Sequence, residues 1–138
     1  MSIQNPQVPY RGPAQDYLQT RRVRIIGTPT SDADRFEVNF LSSDDEILFH
    51  FNPRLNENCI VRNATEGHQW IYEKEERENR CPFQPGKRFA LDFIQDGQTF
   101  KCYVDGPAYA SFTARININQ LRNIEIKGDV RVEEIHFG

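Results

Sequence analysis

HFNPRL, residues 50–55, sets His50, Asn52 and Arg54 at alternate positions and interleaves them with Phe51, Pro53 and Leu55. A period of two is the period of a strand, so the three polar side chains share one face while Phe51 and Leu55 share the other. Pro53 has no N–H to give to a ladder, which predicts that the strand bulges, ends there or lies at a sheet edge. The trio is chemically complementary. Imidazole accepts or donates, an amide does both, and a guanidinium offers a rigid fork of donors. Such a face suits a neutral ligand rich in hydroxyls.

The same period runs outward in both directions, cut by turn signals and with almost no helical periodicity. Strand candidates are 21–28, 35–42, 46–52, 59–64, 69–77, 87–95, 99–105, 109–115, 122–128 and 130–137. Asp96-Gly97 and Asp105-Gly106 are hairpin signals, because both residues of each pair take positive φ cheaply. Residues 1–14 carry three of the eight prolines and read as an extended N-terminal arm; residues 15–138 form the domain proper. About ten short strands without an internal repeat predict an all-β, antiparallel two-sheet β-sandwich, with a closed barrel as the alternative.

The chain has 138 residues, enough for one domain with a proper core, and its 38% hydrophobic content with ten Phe suits a compact aromatic-rich fold. A net charge of −3 argues against a general nucleic-acid or acidic-membrane surface. Arg21, Arg22 and Arg24 then read as a solvated strand face. Cys59, Cys81 and Cys102 form no CxxC pair and are odd in number, which points to a reducing compartment. MSIQNPQVPYRGP lacks an apolar leader core, and no stretch approaches the roughly 18 apolar residues of a membrane span. Cytosolic synthesis is the expectation. His68 and His136 match no metal-ligand spacing, so neither metal nor cofactor is expected.

Beyond the hexapeptide, Asn63 falls on the neighbouring strand candidate, and Trp70 is the only tryptophan. An exposed indole face packs well against the C–H face of a pyranose. Glu73, Glu75 and Arg77 follow at alternate positions, so a strand over 69–77 sets them on one face. There a carboxylate can lock the guanidinium of Arg54 or Arg77 and keep one oxygen for a hydroxyl.

Together, His50-Phe51-Asn52-Pro53-Arg54, Ile60-Val61-Arg62-Asn63, Trp70, Glu75-Glu76-Arg77 and Pro82-Phe83-Gln84-Pro85-Gly86 closely resemble the galectin signature in its usual order. The resemblance spans roughly residues 17–137 and takes in Arg35-Phe36 and the Asp105-Gly106 turn. It implies a jelly-roll sandwich, concanavalin A-like, of five- and six-stranded sheets that binds β-galactosides without a metal. By that resemblance His50, Asn52 and Arg54 read the axial 4-hydroxyl of galactose and Trp70 stacks on its apolar face. Asn63 and the glutamate take the 6-hydroxyl, and Arg54, the glutamate and Arg77 continue to the next sugar. Single-domain galectins are commonly dimers, so a glycan-crosslinking homodimer is expected, with the 21–26 and 130–137 strands as candidate edges. Cytoplasmic residence with unconventional secretion is implied likewise.

One departure stands out. The family pattern Trp-x-x-Glu-x-Arg, counted forward from Trp70, selects Glu73 and finds Glu75 where Arg belongs. Counted backward from Pro82-Phe83 it selects Glu75 and Arg77, with two extra residues after Trp70. The second register restores both charges and is preferred, leaving Glu73 and Arg35 as secondary candidates. Two rival classes remain: a galectin-like protein acting through protein contacts, and a glycosidase with two carboxylates about 5 to 10 Å apart. Arg77 argues against the second, because it keeps a neighbouring carboxylate ionised and unsuited as an acid. Asn63-Ala64-Thr65 is a formal glycosylation sequon that a cytosolic chain leaves unmodified, and Cys59 reads as a small buried hydrophobe.

Overall fold

The alternating runs pair into two six-stranded antiparallel sheets in the computed structural model, which describes residues 1–138. In chain order the strands are β1 (Ser2–Gln4), β2 (Tyr10–Pro13), β3 (Arg22–Pro29), β4 (Phe36–Ser42), β5 (Ile47–Arg54), β6 (Cys59–Asn63), β7 (Thr65–Glu66), β8 (Gln69–Trp70), β9 (Glu76–Glu78), β10 (Phe89–Asp96), β11 (Thr99–Val104), β12 (Ala108–Thr113), β13 (Leu121–Gly128) and β14 (Val130–Phe137). One sheet has the order β1-β14-β3-β10-β11-β12 and the other β2-β13-β4-β5-β6-β9, while β7 and β8 form a separate small hairpin. The first of these sheets has one strand more than the five-and-six expectation allows if β1 is counted.

The core lies between the sheets and is largely phenyl. All ten phenylalanines are buried. Phe49 of β5 stacks on Phe112 of the opposite sheet at 4.9 Å and 11°. Phe40 meets Phe93 edge-on across the same gap at 5.2 Å and 79°. Each such ring stabilises the fold by roughly 2 kcal/mol through burial, so the Phe ladder, rather than any ion pair, holds the layers together.

Both hairpin signals mark real turns. Gly97 at φ 59° joins β10 to β11, and Asp105 at φ 54° with Gly106 at φ 104° joins β11 to β12. Pro53 ends a ladder as a proline should: β4 pairs β5 only as far as Phe51, while on the other side Pro53 is opposite Ile60 of β6. β5 nevertheless sits deep in its sheet, and one residue beyond Pro53 it stops.

Four expectations change. Residues 1–14 are extended but not free, because β1 pairs with β14 and β2 with β13, adding one strand to each sheet. Helix α1 (Gln15–Thr20) was not anticipated; it plugs the sandwich with Tyr17, fully buried, whose hydroxyl donates to Gln95 Oε1 at 2.7 Å. The strands of residues 21–26 and 130–137 are not edges: β14 lies between β1 and β3, and β3 between β14 and β10. Ile135 and Phe137 accordingly belong to the core. The fourth change is in residues 69–77, which form β8, a 3-10 turn at Tyr72–Lys74 and β9 in place of one strand. A run so rich in charge has no apolar face to lay on the core, and it folds back where Lys74 N–H and Glu75 N–H donate to Ile71 and Tyr72 carbonyls. Glu73, Glu75 and Arg77 therefore do not share one strand face.

Candidate functional site

The outward faces of β4, β5 and β6 carry a polar row over the Phe-lined interior. Register places Asn39 opposite His50 and His50 opposite Asn63, so these three cross adjacent strands side by side. Asn52 is opposite Val61, and Val61 opposite Arg77, in the next row. Above them lies an open cavity of about 450 Å³ lined by Arg35, His50, Asn52, Arg54, Asn63, Trp70 and Glu75, together with Glu37, Tyr72 and Lys127. That volume is in the range of small-ligand sites.

The hydrogen bonds fix what each group offers. The amide nitrogen of Asn39 is committed to the carboxylates of Glu37 and Glu125 at 2.9 and 3.0 Å, which turns its oxygen toward His50. His50 Nδ1 lies 2.7 Å from that oxygen and must donate to it. Burial pulls the imidazole down to about 4, with the Arg54 and Lys127 charges acting in the same direction against Glu37. The ring is thus neutral at physiological pH, and its Nε2 is an acceptor. Asn52 donates to the Phe36 carbonyl at 2.8 Å and accepts from Arg54 Nε at 2.9 Å, which holds the guanidinium along the strand.

Arg77 Nε donates to Glu75 Oε2 at 2.7 Å. Glu73 stands exposed on the 3-10 turn and does not line the cavity. The pairing that joins a carboxylate to Arg77 is thus made by Glu75. Trp70, half-buried on the β7–β8 hairpin, stands with its ring 4.7 Å from the His50 ring and tilted by 55°. Asn63 is almost fully buried; its amide donates to the Ile71 carbonyl at 3.2 Å, and its oxygen accepts from Ala64 N–H at 2.9 Å. An asparagine so engaged is no free sequon side chain.

Several residues of the site were missed in the sequence. Glu57, on the turn after β5, accepts from Arg35 at 2.8 Å and lies 3.7 Å from Arg54 and 4.0 Å from Arg77. It is the hub of three guanidiniums, the one site carboxylate with no alternating pattern to announce it; its spacing of three from Arg54 across a turn was the only local signal. Asn39, Tyr72 and Arg115 were also overlooked. Arg22 and Arg24, of the basic patch, both pair with Asp92 and take no part. No group of three His, Cys, Asp or Glu side chains that could hold a metal is present, and no helix is long and apolar enough to cross a membrane. Cys59 is buried beneath Arg77, whose guanidinium approaches its Sγ at 3.6 Å.

The family model of galactoside-binding lectins matches residues 9–137. The 32 kDa beta-galactoside-binding lectin of Haemonchus contortus is 34% identical over 131 residues, 94% of this chain and 46% of that protein. Galectin-3 of Cricetulus longicaudatus is 34% identical over 128 residues, 89% of this chain and 51% of its own length. Among solved structures, the galectin LEC-6 of Caenorhabditis elegans superposes with a TM-score of 0.88 at 34% identity, covering 98% of this chain and 94% of that one. The chain belongs to the galactoside-binding lectin family, the galectins, with their jelly-roll β-sandwich. It spans about half the length of the curated relatives it matches.

Proposed function

We propose that the domain binds β-galactosides on glycoproteins or glycolipids, without a metal and without catalysis. The observation that carries the reading is the locked row of His50, Asn52 and Arg54, an acceptor beside two donors on one strand face. A hydroxyl that is axial at carbon 4 meets all three at once: it donates to His50 Nε2 and accepts from Arg54 and Asn52. Trp70 covers the apolar face of the sugar, which removes C–H surface from water. Asn63 and Glu75 take the 6-hydroxyl, and Arg77, held by Glu75, reaches with Arg54 toward the neighbouring sugar.

The mechanism is recognition. A groove with one stacked ring and a few neutral hydrogen bonds binds a disaccharide weakly, because water competes for every hydroxyl and little area is buried. Useful avidity then comes from two sites presented together, so a homodimer that crosslinks glycans is part of the proposal, formed through edge strands such as β1 or β12. Three free thiols fit residence in the reducing cytoplasm, with unconventional secretion as the route to extracellular glycans.

Retention on immobilised lactose tests the reading. The protein should be held, should elute with free lactose, and should release no galactose over hours. Passage straight through would favour action by protein contacts, and released galactose would make it a glycosidase.

A further inference from the structure

Arg115 does not line the cavity, yet it bonds to two of the elements that do, β6 and the Tyr72–Lys74 turn, and to Glu76 of β9. It follows β12, and its guanidinium sits 5.0 Å over the ring of Phe112 with only a fifth of the side chain exposed. From there Nη1 donates to Asn63 Oδ1 at 2.8 Å, and Nη2 donates to the Lys74 carbonyl at 2.5 Å and lies 3.3 Å from Glu76 Oε2. We infer that Arg115 is a positioning residue: it orients the Asn63 amide so that Asn63 can only donate to a ligand hydroxyl, and it thereby sets the preference for a galactoside that carries a 6-hydroxyl.

The argument is a count of lone pairs. Asn63 Oδ1 has two, and Arg115 Nη1 and Ala64 N–H take both. Its amide nitrogen has two hydrogens, and the Ile71 carbonyl takes one. One N–H is left for the cavity, and no acceptor. Turning the amide over would set its NH₂ against two N–H donors and its oxygen against a carbonyl, so Arg115 makes the reverse orientation costly. A ligand hydroxyl that accepts from Asn63 needs somewhere to place its own proton, and Glu75 supplies it: Oε2 is held by Arg77, and Oε1 has no partner within the chain. The bond to Lys74 C=O fixes the turn that leads into Glu75, so one guanidinium sets both the donor and the acceptor.

The ligand in this inference is the one proposed above, and the test separates the two. Calorimetric titrations would compare lactose with its analogue deoxygenated at carbon 6 of the galactose, on wild type, Arg115→Met and Arg115→Lys. Wild type should prefer lactose by about tenfold, the worth of one well-made hydrogen bond to a charged group. In Arg115→Met the ratio should fall by about threefold, because Ala64 N–H and the Ile71 carbonyl still favour the native amide orientation, while the deoxy analogue still binds within about twofold of wild type, which also certifies that the variant is folded. Arg115→Lys, which keeps the charge and one bond, should recover part of the ratio. A preference undiminished in Arg115→Met, equal affinities for the two sugars in wild type, or a parallel loss of both sugars in each variant overturns the positioning role. A wild type that binds neither sugar contradicts the galactoside reading itself.

Discussion

At the scale of single residues, the site depends on protonation and register. His50 is an acceptor only while it is neutral, and burial keeps it neutral down to about 4. The unfolded chain takes up the proton near the ordinary 6.5, so between those values the unfolded state binds more protons and stability rises with pH. His50's contribution is therefore complete above about 6.5 and is lost as pH falls toward 4, with roughly 3 kcal/mol at stake. Lactose affinity should follow the folded value: flat to about pH 5, then falling, because a protonated Nε2 turns from acceptor to donor. A loss centred on 6.5 would contradict a buried neutral ring. Register gives a second expectation. Glu75→Gln should weaken lactose binding by about 1 to 2 kcal/mol, since it releases Arg77 and removes a charged acceptor, while Glu73→Gln should leave affinity unchanged by calorimetry. The reverse result would move the site by two residues.

Elements explain where sequence reading succeeded and where it stopped. β5 was legible because its alternation and its Pro53 stop are both local. The β10–β11 and β11–β12 hairpins were legible because Asp-Gly pairs state their turn in two letters. Helix α1 was not, because six residues carry no usable periodicity and its anchor, the Tyr17–Gln95 bond, joins positions 78 apart. β1 and β2 are short polar strands at sheet margins, held by ladders to β14 and β13 that no local pattern announces. The 69–77 segment misled because alternating charge imitates a solvated strand, whereas the tie from Arg115 to Lys74 folds it into a turn. Glu57 was hidden for a similar reason, since Arg35 and Arg77 reach it only after the chain folds. Helix α1 also yields a prediction. Tyr17→Phe keeps the packing against Phe40, at 5.4 Å, but strands the buried Gln95 oxygen, so urea denaturation should show a loss of about 1 to 3 kcal/mol. No change would mean that α1 plugs the sandwich by shape alone.

On the scale of the whole molecule, the two faces of one sheet divide the labour. Inward-facing Phe49 and Phe51 fix β5 against the opposite sheet, and that packing supports the geometry of His50, Asn52 and Arg54 on the outer face. The carboxylates Glu37, Glu125, Glu57 and Glu75 each orient a donor in advance, so binding has little ordering left to do. Under the proposed function the row selects a stereocentre, the axial 4-hydroxyl, and cellobiose differs from lactose only by having that hydroxyl equatorial. The decisive measurement is a calorimetric titration of the wild-type protein with lactose and with cellobiose at neutral pH. Saturable heat with lactose and none with cellobiose is the expected result; equal binding of the two, or binding of neither, would contradict the claim that this row reads galactose.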